Sequence, residues 1–196
     1  ICARPSLDVR RVSGWGTCKI YHDINKVREA ATEMLKDKER FKDCPNYQHD
    51  IADVVRQTLT DSTYYLIKDI AASYEKKDME AFKAQYTTFL GILGDLNRLL
   101  SQVGLFRLEK WTSSARNICD EVPGTTEADR DWMEWNARTL ITVWGPEQCA
   151  EKGKLHDYSS RQWGGTLNDF YLARWEMFFK ALDEGKTISP PEWSKW

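Results

Sequence analysis

The sequence predicts an all-α domain, a bundle-like packing of long antiparallel helix pairs, and three observations carry that expectation. Apolar residues recur every three or four positions along several long segments, and Gly, Pro, Asn and Asp punctuate those segments at their ends. Nowhere do short alternating apolar and polar runs stand between turn signals, as strands would require. The chain has 196 residues, enough to bury a single core, and contains no internal repeat.

Residues 1–22 read as an irregular lead-in, broken by Pro5, Gly14 and Gly16, and residues 23–196 as the helical domain. Asp23 is placed to cap a helix over Ile24–Lys36 with Val27, Ala30, Ala31 and Met34 as its apolar stripe. After Cys44-Pro45-Asn46 a longer helix is expected to reach Glu75, with Ile51, Val55, Leu59, Ser62, Leu66, Ile70 and Tyr74 down one side. Lys76-Lys77 close it and Asp78 caps the next helix, whose face is Phe82, Tyr86, Phe89, Leu93, Leu96 and Leu100. So short a turn between two long helices makes them antiparallel, a hairpin about 45 Å long at 1.5 Å per residue.

A shorter helix is expected over Arg107–Cys119. Pro123-Gly124 breaks the chain, and Thr125 is placed to cap a helix that runs through Trp132, Trp135 and Leu140 towards Trp144, where Gly145-Pro146 ends it. Gln148–Lys154 is polar and reads as a loop. A last amphipathic helix is expected from Tyr158, carrying Trp163, Leu167, Phe170, Tyr171, Arg174, Trp175, Phe178 and Leu182 until Gly185, with Asp157 as its N-cap.

Composition excludes several function classes. Basic and acidic residues number 28 and 30, a net charge of -2, which gives no field to attract nucleic acid or an anionic membrane. No apolar run is long enough to span a bilayer. The three histidines, His22, His49 and His156, and five cysteines, Cys2, Cys18, Cys44, Cys119 and Cys149, show no ligand spacing, so no metal site and no cofactor are expected. The cysteines read as small buried side chains, although a Cys2–Cys18 bridge is compatible with the spacing. The chain opens on Ile1-Cys2-Ala3-Arg4-Pro5 without an initiator Met and reads as the middle of something longer, any targeting signal lying in the part before it.

Four segments carry a family resemblance. Arg138-Thr139-Leu140-Ile141-Thr142-Val143-Trp144-Gly145-Pro146-Glu147 is similar to the R-x-Q-L-T-L-W-G-P-E stretch of alpha-N-acetylglucosaminidases, glycoside hydrolase family 89, with Leu140 in place of the polar Gln. Leu155-His156-Asp157-Tyr158-Ser159-Ser160-Arg161-Gln162 resembles the family's I-L-D-Y-A-N-K-Q, after a longer loop from Glu147. Phe170-Tyr171-Leu172-Ala173-Arg174-Trp175 resembles its Y-Y-x-x-R-W, and Cys2-Ala3-Arg4-Pro5-Ser6-Leu7 its C-A-R-P-S-L, where the family's barrel hands over to a helical domain. The motifs stand in family order over nearly the whole chain.

The resemblance implies a C-terminal helical domain that packs on a (β/α)₈ barrel and completes one wall of a pocket for terminal α-linked N-acetylglucosamine. It implies a retaining reaction, which needs two carboxyl groups about 5 to 5.5 Å apart. In the family both are glutamates of the barrel, so no catalytic residue is expected in this chain. The positions matching wall residues are Trp144 and Tyr158, with Leu155 adding apolar contact. The chemistry is apt, since an indole packs on the apolar C–H face of a pyranose while a phenol hydroxyl bonds its polar rim. Arg138, Glu147 and Arg174 are read as orienting groups or structural salt bridges, and His156 as an exposed loop histidine. A secreted, periplasmic or lysosomal location follows from the family alone.

Nine tryptophans are far above ordinary usage, and Trp111, Trp132, Trp135, Trp163 and Trp175 are expected in the core because they fall on helical stripes. Trp144 stands apart, at a helix end beside a loop. The competing reading is a free-standing carbohydrate-binding or protein-interaction module using the same aromatics. A domain belonging on a barrel should expose an apolar patch around Trp144 and the N-terminal segment larger than such a module would show. A complete small enzyme lacks any nucleophile, base or metal constellation.

Overall fold

Asp23 opens the first helix by accepting the backbone N–H of Asn25 at 2.9 Å, and α1 spans Ile24–Lys36. Ala31 is its buried residue, while Ala30 is exposed, so the stripe is narrower than the sequence suggests. A four-residue helix, α2 (Lys38–Phe41), leads to α3 (Pro45–Glu75), where Pro45 takes the first turn that its missing N–H suits. This computed structural model describes residues 1–8, 19–144, 157 and 159–187.

The helix α4 (Met79–Ser101) returns antiparallel to α3, its first turn capped by Asp78 accepting from Ala81 N at 3.1 Å. The join is a Schellman motif: Asp78 N donates to Ser73 O and Lys77 N to Tyr74 O, both at 3.0 Å. That geometry puts Lys77 at φ 61°, a left-handed position usually filled by glycine. Lys77→Gly is therefore expected to stabilise the fold by about 0.5–1 kcal/mol, the relief of the left-handed strain exceeding glycine's added chain entropy. A melting temperature that falls instead would contradict this.

Beyond α4 a 3₁₀ turn (Gly104–Phe106) precedes α5 (Leu108–Asn117), and a second 3₁₀ turn (Ile118–Glu121) leads towards α6 (Glu127–Ile141). The cap of α6 is Thr126 rather than Thr125: Thr126 and Asp129 form a reciprocal capping box, and Thr125 Oγ1 instead donates to Cys119 O. The last helix starts later than Tyr158. Thr166 leads into a π-helical segment (Leu167–Leu172) that continues as α7 (Ala173–Asp183), and Trp163 precedes both.

The core forms where α3, α4, the π-helical segment and α7 meet. Ile70, Phe82, Phe89, Leu93, Leu96, Leu100, Leu167, Phe170, Tyr171, Trp175, Phe178 and Phe179 are all buried in it. The α4–α7 seam is aromatic: Phe89 meets Trp175 edge-on at 4.9 Å and Phe179 at 5.6 Å, and Tyr86 stacks on Phe179 at 5.2 Å. On its other side α3 carries α1, and α5 pairs with α6 as a second antiparallel hairpin.

A backbone bridge ties the two parts together. Gly164 N donates to Phe106 O at 2.7 Å and Leu108 N to Gly164 O at 2.9 Å. Only glycine fits there, because a Cβ on Gly164 would stand 2.6 Å from Ser101 N and 2.8 Å from its Cα. The all-α expectation holds: among the described residues this bridge is the sole β-type pairing, and no helix is long and apolar enough to cross a membrane.

Two expected core tryptophans face outward. Trp132 is 61% and Trp135 48% exposed, because α6 turns its other side towards α5, where Arg116 binds Asp131 at 2.7 Å, Glu134 at 3.0 Å and also Glu127. The residues of α6 that are buried are Ala137 and Ile141, and the indoles lie on its outer side. Trp175 is buried as expected, while Trp111 and Trp163 are half-buried with ring centres 6.1 Å apart. The cysteines also divide: Cys2 and Cys119 are buried thiols and Cys44 is an exposed one. Cys18 and Cys149 lie outside the described residues.

Candidate functional site

Trp144 is reached by an unusual exit from α6. The helix stops at Ile141, three positions before Trp144, and not at Gly145-Pro146. Thr142 turns its hydroxyl back onto Arg138 O at 2.6 Å and leaves the helical region at φ -115°, ψ -95°. Trp144 then donates its N–H to Thr139 O at 2.7 Å with φ 76°. A bulky L residue in the left-handed region is strained, and such strain collects at functional positions. Its side chain is half-buried.

Arg138 is drawn into the α5–α6 ion network, its Nε and Nη2 donating to Glu134 Oε1 at 2.9 and 2.7 Å. Hydrogen bonding from Arg138, with a second bond from Arg116, holds the Glu134 carboxyl below its ordinary range. Arg138 also borders a polar hollow of about 490 Å³ with Glu109, Gly164 and Asp169. A second hollow, about 390 Å³, lies between the N-terminal segment and α3 over Ile67, Phe89 and Trp175. Trp144 lines neither of the two.

Arg174 belongs to a different cluster. It is buried at the start of α7 and donates from Nη1 to Asp157 Oδ1 at 2.7 Å and from Nη2 to Asp157 Oδ2 at 3.3 Å. Arg4 Nε donates to the same Oδ2 at 2.8 Å. Asp157 is therefore no N-cap: it sits at φ 55°, buried, with its carboxylate held between two guanidiniums. The short polar residue before an aromatic gave the capping expectation, and its partners lie 153 and 17 positions away. Leu155, Tyr158, Glu147 and His156 lie outside the described residues.

The Cys2–Leu7 segment is fastened to the same place. Trp175 Nε1 donates to Ile1 O at 2.8 Å, Cys2 and Pro5 are buried, and the Cys2 thiol lies beside the Tyr171 phenol. The chain after Asp157 is held too, since Gln162 Oε1 accepts from Arg56 at 3.1 Å and from Thr60 at 2.9 Å, both on α3. Near the lead-in, His22 Nε2 lies 2.7 Å from Asp61 Oδ2, whose other oxygen accepts from Gln57 at 2.8 Å. The distant partners of the buried Asp157 and Asp61 are not visible in local sequence.

Burial pushes the Cys2 thiol from its ordinary 9.0 up to about 11, and burial likewise raises the Tyr171 phenol. Between those two pH values the unfolded chain releases the Cys2 proton while the folded chain keeps it. Stability present below pH 9 should thus decline by about 2–3 kcal/mol as pH approaches 11. Melts of wild type and Cys2→Ser from pH 8 to 11 check this. The wild type should lose stability faster, and parallel curves would contradict it.

No group of three or more candidate metal ligands occurs among the described residues.

Comparison with known proteins places the chain in a family. The family described as "Alpha-N-acetylglucosaminidase (NAGLU) C-terminal domain" matches residues 1–194. The human alpha-N-acetylglucosaminidase is 27% identical over 175 residues, 89% of this chain and 22% of the relative. A family 89 glycoside hydrolase from Clostridium perfringens, solved in complex with PUGNAc, superposes with a TM-score of 0.90 at 31% identity, covering 98% of this chain and 22% of that one. The Clostridium perfringens enzyme in complex with its substrate GlcNAc-alpha-1,4-galactose gives 0.88 at 32% identity, covering 96% and 21%. The chain spans about a fifth of the length of these glycosidases. It belongs to the family of alpha-N-acetylglucosaminidase C-terminal domains.

Proposed function

We propose that this domain completes one wall of the sugar pocket of a retaining exo-alpha-N-acetylglucosaminidase whose catalytic glutamates lie on a barrel outside this chain. The observation that carries the reading is Trp144, a strained left-handed tryptophan at the end of α6 inside the family's W-G-P-E stretch. Tyr158 and Leu155 are assigned to the same wall by the family motif, with Arg138, Glu147 and Arg174 in supporting roles. The partners are the barrel and a glycan ending in α-linked N-acetylglucosamine, in a secreted, periplasmic or lysosomal setting.

On this reading the isolated chain binds no sugar productively. It should not hydrolyse an aryl α-N-acetylglucosaminide, because both carboxyl groups are absent. Turnover that survives repurification and is abolished by one Asp or Glu substitution in this chain would overturn the assignment. The exposed Trp132 and Trp135 favour the rival reading, a free-standing carbohydrate-binding module. That reading predicts saturable binding of N-acetylglucosaminyl glycans to the isolated chain, lost on Trp132→Ala.

A further inference from the structure

One hydroxyl stands where α6 ends. In a continued α-helix the N–H of residue 142 would bond the carbonyl of residue 138, but Thr142 N donates instead to Thr139 O at 3.3 Å. Arg138 O is taken by the Thr142 side chain, whose Oγ1 donates to it at 2.6 Å. Thr58, Thr88 and Ser114 make the same kind of side-chain bond inside α3, α4 and α5, where the carbonyl also receives the N–H of the continuing helix. At the buried Thr142 the hydroxyl stands in for the backbone donor.

That exchange of donors frees the backbone to leave the helix along a defined path. Thr142 adopts φ -115°, ψ -95°, and Trp144 N joins Thr142 N on Thr139 O, at 2.7 Å, so that one carbonyl uses both lone pairs. Ile141 is buried on one side of Thr142, and on the other Val143 packs against the main core. Trp144 is thereby held at φ 76°, which a bulky L residue adopts only where its surroundings impose it. Were α6 to run on to Gly145-Pro146, as the sequence pattern alone predicts, Trp144 would stand three and seven positions after Ile141 and Ala137. Its indole would then lie over the buried face of α6 itself.

We propose that Thr142 is a positioning residue for the sugar pocket: its hydroxyl ends α6 early and keeps Trp144 out of the helical register that would turn the indole onto its own domain. The inference rests on the pocket-wall reading of Trp144. Displacing a pocket group by about an ångström costs on the order of a hundredfold in rate, so even partial return of Trp144 to the helix should be visible in kinetics.

The test uses the complete enzyme carrying this domain, with an aryl α-N-acetylglucosaminide as substrate and rates normalised to folded protein by circular dichroism. Thr142→Val keeps the shape and removes the hydroxyl, and Thr142→Ser keeps the hydroxyl. Thr142→Val should lower kcat/KM about tenfold, while Thr142→Ser should stay within about threefold of wild type. In a Trp144→Ala background Thr142→Val should change kcat/KM by less than about twofold, because no indole is left to place. Should Thr142→Val yield no folded enzyme, Thr142→Ala takes its place under the same limits. If the hydroxyl-free variant keeps kcat/KM within about twofold while Trp144→Ala reduces it, if Thr142→Ser loses as much as Thr142→Val, or if the Thr142 and Trp144 losses multiply independently, the positioning role is wrong. If Trp144→Ala is itself without effect, the pocket-wall reading falls and this inference with it.

Discussion

Replacing Trp144 with alanine in the enzyme that carries this domain is expected to lower kcat/KM roughly tenfold to a hundredfold while moving the melting temperature little. Loss of a stacking surface for a ring costs on the order of 1–3 kcal/mol, with stacked bases as the nearest measured analogue, and each ~1.4 kcal/mol is a decade in rate. Alanine is an L residue and keeps the strain of φ 76°, so stability gains nothing from the exchange; Trp144→Gly removes both strain and indole. Glycine should therefore match or exceed alanine in stability and equal it in lost activity. If Trp144 were a core residue, truncation would leave a cavity costing about 3–5 kcal/mol and folded enzyme would keep its rate. Melts alongside normalised kinetics separate the two.

Phe89→Ala should do the opposite. The ring is 1% exposed at the centre of the α4–α7 seam, with Trp175 and Phe179 packed edge-on against it. Removing it deletes the transfer energy of a full phenyl group and leaves a void between stiff aromatic neighbours that cannot collapse into it. The cost is expected at about 3–5 kcal/mol, on the order of 10 °C in melting temperature for a domain of this size. Thermal denaturation of the isolated chain measures it directly, and a shift under about 3 °C would show that the seam is not the centre of the fold.

The parts of this architecture set by short-range pattern were legible in the sequence. Asp23, Asp78 and the period of Phe82, Phe89, Leu93, Leu96 and Leu100 define α1 and the α3–α4 hairpin, because capping and helical amphipathicity act over a few residues. What failed depended on partners far away in the chain. The α6 stripe can face either way from local pattern; α6 buries Ala137 and Ile141 instead, and Trp132 and Trp135 lie outward. The last helix begins at Thr166, later than Tyr158, and Leu167, Phe170 and Tyr171, which fit an α-helical period, adopt a π-helical turn before Arg174 and Trp175 continue in α7.

The site follows the same division. Trp144 could be singled out from its place before Gly-Pro, but its left-handed backbone could not, since the fold of Ile141–Val143 back onto Arg138 and Thr139 produces it. Asp157 was misread because its charge partners are Arg4 and Arg174, at opposite ends of the domain. A surplus of arginine in two family motifs, C-A-R-P-S-L and Y-Y-x-x-R-W, both facing an acid in a third, was the signal available. Among the described residues, the large apolar side chains that α6 exposes are Trp132, Trp135 and Leu140.

The central claim is that Trp144 holds sugar rather than core, and a crystal structure of the complete enzyme with a 2-acetamido iminosugar in its pocket tests it most directly. The account predicts the Trp144 indole in van der Waals contact with the pyranose, within about 4.5 Å, opposite carboxylates contributed from outside this domain. An occupied pocket with the Trp144 ring turned into its own helices and no atom of this domain near the sugar would contradict it.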